Sequence, residues 1–243
     1  MAISYTNSFG GYVGSTPSSY TYSFTTSGTN RGLVVGVGLQ KTGGVTDVLT
    51  GITYGGTAMT YIDKYQVSSV GYDYFYYLAN PATGANNVVI SLSSAVTYIF
   101  SCCASYAGVS QTGMLDNSSR DQTASGSSLT TSVTSVADNC WNVLYVFAAR
   151  SDITAGTGST NRATDANASN IMDSNSAKTP EGSYSMSASW SSSAAVQFQA
   201  SIAPYVAASG PANVKTWNGL AQASVKTVNG LAIASVKSRN GIT

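Results

Sequence analysis

The few ionisable side chains of this chain limit the chemistry it can perform. It has eleven Lys and Arg, ten Asp and Glu, and no His, so neither a His general base nor a His-ligated metal can form. A glycosidase needs two carboxylates flanking the scissile bond, and no close acidic pair stands in a strand pattern with Trp. We therefore expect no enzymatic activity. The acids are Asp47, Asp63, Asp73, Asp116, Asp121, Asp138, Asp152, Asp165, Asp173 and Glu181.

Two acidic segments could supply oxygen ligands to a cation. Residues 116–121 and residues 165–175 each hold two Asp together with Asn, and carboxylate and amide oxygens are the ligands that Ca²⁺ prefers. Neither segment matches a defined calcium loop. We predict no cofactor and no metal site, and keep calcium as the alternative.

Aromatic and polar side chains of the kind that bind sugars occur in two places. Residues 72–77 form a dense aromatic strand, and residues 151–182, rich in Asn, Asp, Ser, Thr and Gly, are predicted to be one long loop. Long loops on a rigid scaffold often carry recognition. The candidate ligand surface, for cell-surface glycans, comprises Asp152, Asp165, Asp173, Tyr72 and Tyr74.

The three cysteines cannot all pair with one another, because their number is odd. Cys102 and Cys103 are adjacent on a predicted strand and should face opposite sides. We expect all three to be buried small apolar residues. A disulfide between Cys140 and Cys102 or Cys103 is the alternative.

Strand signals dominate the first two hundred residues. Charged residues make up 9% of the chain, against about 25% in an average soluble protein, and Ser and Thr are abundant. Aromatic residues alternate with hydroxyls in 20–25, and the apolar run 31–39 predicts a strand buried on both faces. Gly55-Gly56 predicts a hairpin turn between 49–54 and 57–65. These patterns predict an all-β body, residues 1–208, folded as a two-sheet antiparallel β-sandwich of the jelly-roll type.

A repeat with a period of eleven residues ends the chain. Its copies are 214–220, 225–231 and 236–242, and each contains Asn-Gly after a short β-branched run. Gly would cost a helix about 1 kcal/mol in each copy, whereas Asn-Gly favours a type I′ turn between two strands. The repeat is defined by Val214, Trp217, Asn218, Gly219, Leu220, Val225, Asn229, Gly230, Leu231, Val236, Asn240 and Gly241.

Each repeat is too short to bury its own apolar face. Copies from neighbouring chains could close the core, so residues 209–243 are predicted to form a short C-terminal β-hairpin repeat stalk that holds a homo-oligomer together, most simply a trimer. The segment carries four basic residues and no acid, which suits docking or anchoring on an acidic surface. A flexible tail with a degenerate repeat is the alternative.

Four stretches together resemble a family of jelly-roll domains found in phage structural proteins and bacterial surface proteins. They are residues 30–37, 53–60, 77–81 and 105–109, and the match covers roughly residues 18–150. The terminal Lys-Thr-x-Asn-Gly-Leu repeats resemble C-terminal tails of phage virion proteins. The resemblance implies a jelly-roll fold and a virion or cell-surface setting, and it implies no catalytic residue.

The sequence thus predicts a phage virion structural protein at the virion surface: a capsid decoration, fibre, spike or tail-tip component. Its expected partners are its own copies, other virion proteins and cell-surface glycans. A net charge of +1 argues against nucleic acid. The absence of a long apolar run argues against a membrane span, and the N-terminus lacks the pattern of a secretory signal peptide. The alternatives are a carbohydrate-binding adhesin of the bacterial cell surface and a subunit of an extracellular filament.

Overall fold

The computed structural model describes residues 1–44, 46–69 and 71–207, and the backbone of four two-residue strands between 216 and 232. The chain divides into two compact units, Met1–Tyr205 and Val206–Thr243. The described part of the first unit is all-β, with antiparallel pairing throughout and no helix. Its strands are β1 Ser4–Gly14, β2 Ser19–Thr26, β3 Gly32–Gln40, β4 Leu49–Tyr54, β5 Thr57–Ala58, β6 Thr60–Ser68, β7 Gly71–Ala79, β8 Gly84–Leu92, β9 Tyr98–Ala107, β10 Leu115–Thr134, β11 Trp141–Phe147, β12 Thr154–Ala155, β13 Thr160–Thr164, β14 Ser169–Asp173 and β15 Ser183–Ile202.

These strands form three sheets, where the sequence predicted two. The central sheet has the order β1-β9-β3-β7-β6, and the small sheet has the order β2-β8-β4-β5. The large sheet has the order β10-β15-β11-β14-β13, with β12 paired to β15. In the first two sheets the pairings are nested along the chain: β1 with β9, β2 with β8, β3 with β7 and β4 with β5.

The central sheet is buried on both of its faces, because one outer sheet packs on each side. On β3, Leu33 and Val35 pack against the small sheet, while Val34 packs against the large sheet. The prediction that the run 31–39 forms a strand buried on both faces is confirmed. A strand between two sheets has no polar face, which is why its apolar residues are consecutive.

The cysteines follow the same alternation along β9. Cys102 belongs to the core shared with the large sheet and Cys103 to the core shared with the small sheet, so the two side chains face opposite sides. All three cysteines are free and buried. The disulfide considered for Cys140 is therefore absent from the structure.

The predicted hairpin at Gly55-Gly56 is shorter than expected. Tyr54 pairs with Thr57 across the turn, and both glycines have positive φ, 54° and 81°, as a type I′ turn requires. The second strand ends after two residues, however. The chain then crosses to the central sheet, where β6 pairs with β7.

The prediction of a long loop over 151–182 is wrong, because three strands lie in it. β12, β13 and β14 all join the large sheet, and every residue of β14 is buried. Ile171 and Met172 supply its apolar contacts on opposite faces.

The strand β14 was concealed in the sequence by its polar residues. In the fold Ser169 donates to Asp165, and Asn170 donates to the Ile153 carbonyl. Asp173 accepts from Arg162, so these side chains can be buried.

The second unit is described by four short strands. Thr216–Trp217 (β16) pairs with Leu220–Ala221 (β17), and Thr227–Val228 (β18) pairs with Leu231–Ala232 (β19). Of the predicted repeat residues, Trp217, Leu220 and Leu231 lie in these strands. The others lie outside the described residues: Val214, Asn218, Gly219, Val225, Asn229, Gly230, Val236, Asn240 and Gly241. Within the described residues, no helix is long and apolar enough to cross a membrane.

Candidate functional site: a tyrosine-lined pocket on the central sheet

An open pocket of about 270 Å³ lies at the β6 edge of the central sheet. We call it the tyrosine pocket. It is lined by Asp47, Leu49, Tyr61, Lys64, Tyr74 and Tyr76. Strands β6 and β7 supply four of these residues, the loop before β4 supplies Asp47, and β4 begins at Leu49.

A β-bulge brings the β6 side chains of the pocket to one face. Tyr61 and Lys64 are three residues apart, so a regular strand would point them to opposite faces. The register shifts between Tyr61 and Asp63, and as a result Tyr61 lies opposite Tyr76 while Lys64 lies opposite Tyr74. Tyr74 and Tyr76 share a face because they are two residues apart. The extra residue therefore builds the pocket.

The aromatic rings of the pocket support one another. The Tyr61 and Tyr76 ring centroids are 5.6 Å apart with the planes at 76°, and Tyr72 stacks on Tyr74 at 5.2 Å. Tyr74 is only 1% exposed, whereas Tyr61 is 46% exposed. The pocket thus presents one accessible ring held in place by edge-to-face contact with a second.

An ion pair forms the polar side of the pocket. Lys64 donates a hydrogen bond from Nζ to Oδ2 of Asp47, and the Tyr74 hydroxyl donates to Oδ1 of the same carboxylate over 2.9 Å. The Lys64 and Asp47 side chains are 40% and 39% exposed. Both groups therefore keep hydrogen-bonding capacity toward solvent or a ligand.

The ionisation of these groups suits binding rather than proton transfer. Partial burial would raise the pKa of Asp47, but the hydrogen bonds from Lys64 and Tyr74 and the charge of Lys64 outweigh it and lower that pKa. The hydrogen bond to Asp47 raises the pKa of Lys64. Burial raises the pKa values of Tyr61, Tyr74 and Tyr76. Each shift moves the pKa of its group further away from 7. None of these groups is therefore an acid or base with a pKa close to neutral pH.

The residues predicted as a ligand surface are separated in the structure. Tyr74 lines the tyrosine pocket and Tyr72 stacks against it, whereas the three predicted acids lie in the region of the large sheet. The carboxylate of Asp152 accepts hydrogen bonds from the backbone and hydroxyl of Ser191. Asp165 is 4% exposed and caps the turn into β14, accepting from the backbone nitrogens of residues 167–169.

Asp173 belongs to a buried network that joins two sheets. Its Oδ2 accepts from Nε of Arg162 at 2.7 Å and from the Tyr106 hydroxyl at 3.1 Å. The guanidinium of Arg162 also lies over the Tyr5 ring, 4.2 Å from its centroid. Because Asp173 is fully buried, these contacts give it a role in holding β14 against β1 and β9.

The described residues contain no group of three or more Cys, Asp or Glu side chains that could hold a metal ion. Asp116, in the other segment considered for calcium, accepts hydrogen bonds from the backbone nitrogens of Val136 and Ala137. The carboxylates of Asp165 and Asp173 likewise accept hydrogen bonds from other groups of the protein.

Sequence reasoning missed four of the polar and aromatic residues of the pocket. Asp47 and Lys64 carry no motif, and their meeting depends on a loop packing against an edge strand. The position of Tyr61 in the pocket depends on the β-bulge, which the sequence did not reveal. Tyr76 lies in the aromatic strand 72–77 considered for sugar binding but was not among the candidate residues, although it shares the period-2 alternation of Tyr72 and Tyr74.

Comparison of the chain with protein-family models, with curated proteins and with solved structures found no match. The fold and the pocket are therefore the basis of the functional proposal.

Proposed function

We propose that this protein is a structural component of a phage virion, built from a rigid β body and a repeat segment that assembles copies of the chain. The observation that carries the proposal is that the predicted repeat segment, residues 209–243, falls within a compact unit, Val206–Thr243, that is distinct from the body, Met1–Tyr205. Most large apolar side chains of the described body are buried, and the exposed ones are few: Met1, Tyr12, Tyr61, Tyr98 and Val136. We therefore assign assembly to the repeats.

The nested strand pairing supports a jelly roll for the first half of the body. Pairing β1 with β9, β2 with β8, β3 with β7 and β4 with β5 describes one long antiparallel hairpin. Its strands alternate between the central and small sheets, as expected when such a hairpin is wrapped into a double-sheet jelly roll. In this reading β6 is an added edge strand, and the large sheet is an addition that covers the second face of the central sheet.

The pairing within the second unit supports the β-hairpin repeat. The pairs β16–β17 and β18–β19 occupy equivalent positions in the first two copies, and each flanks Asn-Gly. An isolated two-stranded hairpin is marginally stable at best in water, so hairpins this short need further strands to cover their apolar side chains. We infer that three chains bring their repeats together as a stalk. We further propose that the protein lies on the virion surface in contact with other virion proteins.

The oligomeric state of the full chain tests this proposal. Type I′ turns need positive φ at both central residues, so changing Gly219, Gly230 and Gly241 together to Val should convert a trimer into monomers in sedimentation-velocity experiments. A matched control changes Lys215, Lys226 and Lys237 to Gln, which keeps every Asn-Gly, and should remain trimeric. A monomeric wild-type chain, or a trimer that survives the Gly changes, would refute the assembly role.

The tyrosine pocket favours a second candidate function. A solvent-facing aromatic ring beside a fixed carboxylate and ammonium suits adhesion to cell-surface glycans, either from a virion or as a bacterial surface adhesin. Binding of the purified protein to glycans in the absence of any oligomer would favour the adhesin.

A further inference from the structure

The chemistry of the tyrosine pocket identifies the kind of molecule that fits it. We propose that the pocket binds a single ring of a neutral pyranose sugar, with the ring face against Tyr61 and the hydroxyl edge against Asp47 and Lys64. It rests on the second candidate function, glycan binding at this pocket, and is independent of the assembly of the repeats.

A pyranose presents an apolar face of C–H bonds and a polar edge of hydroxyls, and the pocket presents both complements. The exposed ring of Tyr61 offers a flat apolar surface, and its contact with Tyr76 fixes the orientation. The Asp47–Lys64 pair offers a strong acceptor and a strong donor side by side. A hydroxyl can donate to one and accept from the other, and hydrogen bonds to charged groups are the stronger kind.

The charge around the pocket selects a neutral ligand. The charged groups that act on the Tyr61 hydroxyl are Asp63, Lys64, Arg120 and Asp47, two acidic and two basic. Arg120 and Asp63 form their own salt bridge at 2.8 Å, as do Lys64 and Asp47. An anionic sugar would meet the Asp47 carboxylate, and the two basic groups, Lys64 and Arg120, are already paired with carboxylates. A cationic ligand would meet Lys64.

The size and rigidity of the pocket set the expected stoichiometry and affinity. About 270 Å³ lies just below the usual range for ligand pockets, which suits one ring rather than a chain of sugars. Tyr74 is buried and holds Asp47, so little side-chain freedom is lost when a ligand binds. An open site with few contacts should bind a monosaccharide with a Kd on the order of millimolar.

Saturation-transfer NMR on the full-length protein tests the proposal. The probes are the methyl glycosides of glucose, galactose, mannose and N-acetylglucosamine, with N-acetylneuraminic acid as the anionic probe. We expect at least one neutral glycoside to receive saturation and the anionic probe to receive none. Absence of transfer to all four neutral glycosides, or transfer to the anionic probe as strong as that to any neutral glycoside, would overturn the proposal.

Variants then locate the site. Tyr61→Ala should weaken binding of that glycoside by about tenfold or more, whereas Tyr61→Phe should retain most of it because the ring remains. Asp47→Asn should weaken binding because the charged acceptor is lost.

Tyr12 provides the matched control. It is 48% exposed, lies on the opposite edge strand of the same sheet and stacks on Phe100 on the other face. Tyr12→Ala should leave binding unchanged. Equal losses in Tyr12→Ala and Tyr61→Ala, or no loss in Tyr61→Ala while its melting temperature matches the wild type, would show that the pocket is not the site.

Discussion

At the scale of single residues, Asp73 on β7 is a fully buried carboxyl group, and neither of its oxygens has a hydrogen-bond partner among the described residues. Burial, and secondarily the negative charge of Asp165, raise its pKa well above the usual value. The native protein therefore favours the protonated acid, whereas the unfolded chain releases this proton at a pH of about 3.9.

Asp73→Asn should stabilise the protein at neutral pH. Since the folded-state pKa is raised, the wild type loses stability as the pH rises above the unfolded-state value, and an amide, which cannot ionise, avoids this loss. We expect a higher free energy of unfolding than the wild type at pH 7, and the difference should shrink toward zero below pH ~4. Urea unfolding at several pH values measures it. Equal stability of the two proteins at pH 7 would contradict the assignment.

The ion pair of Arg162 and Asp173 should matter more than that of Arg120 and Asp63. The first pair has side-chain exposures of 14% and 0%, and the second has 31% and 33%. Arg162→Met leaves a buried carboxylate without its cation and should cost about 3 kcal/mol. Arg120→Met should cost about 1 kcal/mol or less. Chemical denaturation measures the free energy of unfolding of both variants. Equal losses would contradict the expectation that the more buried ion pair contributes more to stability.

At the scale of elements, the sheets meet so closely that a methyl group is excluded at certain glycines. A Cβ added to Gly36 on β3 would lie 2.1 Å from the Tyr145 ring on β11. That ring is fully buried and stacks near Phe75 and Phe198. The central sheet and the large sheet are thus in close contact where β3 passes β11. Glycine at position 36 leaves the space that the Tyr145 ring occupies.

Gly36→Ala should destabilise the body strongly. The ring of Tyr145 cannot move away without disturbing its stacked neighbours, so we expect a loss of about 3 kcal/mol. Gly51→Ala on β4 is the control, because nothing lies within 4 Å of the position of its Cβ. It should change the free energy of unfolding by less than about 1 kcal/mol. Thermal unfolding measures the melting temperatures of the two variants. Similar values for Gly36→Ala and Gly51→Ala would refute the close fit of the two sheets.

At the scale of the whole molecule, the body buries all three of its thiol groups. Cys102 and Cys103 are fully buried in different cores, and burial raises the pKa of each thiol, that of Cys103 to about 12. Cys140 is buried at the start of β11, and burial raises its pKa to about 11. All three therefore remain protonated and shielded at neutral pH.

The native protein should not react with a thiol reagent such as Ellman's reagent at neutral pH. In denaturant all three thiols should react, because the intact chain has no disulfide. Rapid reaction of any one thiol under native conditions would show that its core opens independently of the rest of the body.

The sequence by itself determined the all-β class, the strand buried on both faces and the position of the Gly55-Gly56 turn. These features follow from local causes: an apolar run, the alternation of side chains and the φ angles of glycine. It also pointed to Tyr74. The third sheet, the strands within 151–182 and the meeting of Asp47, Tyr61 and Lys64 were decided only by the tertiary structure. Each depends on contacts between segments far apart in the chain, or on a bulge that shifts which face a side chain occupies, and neither leaves a periodic trace in the sequence.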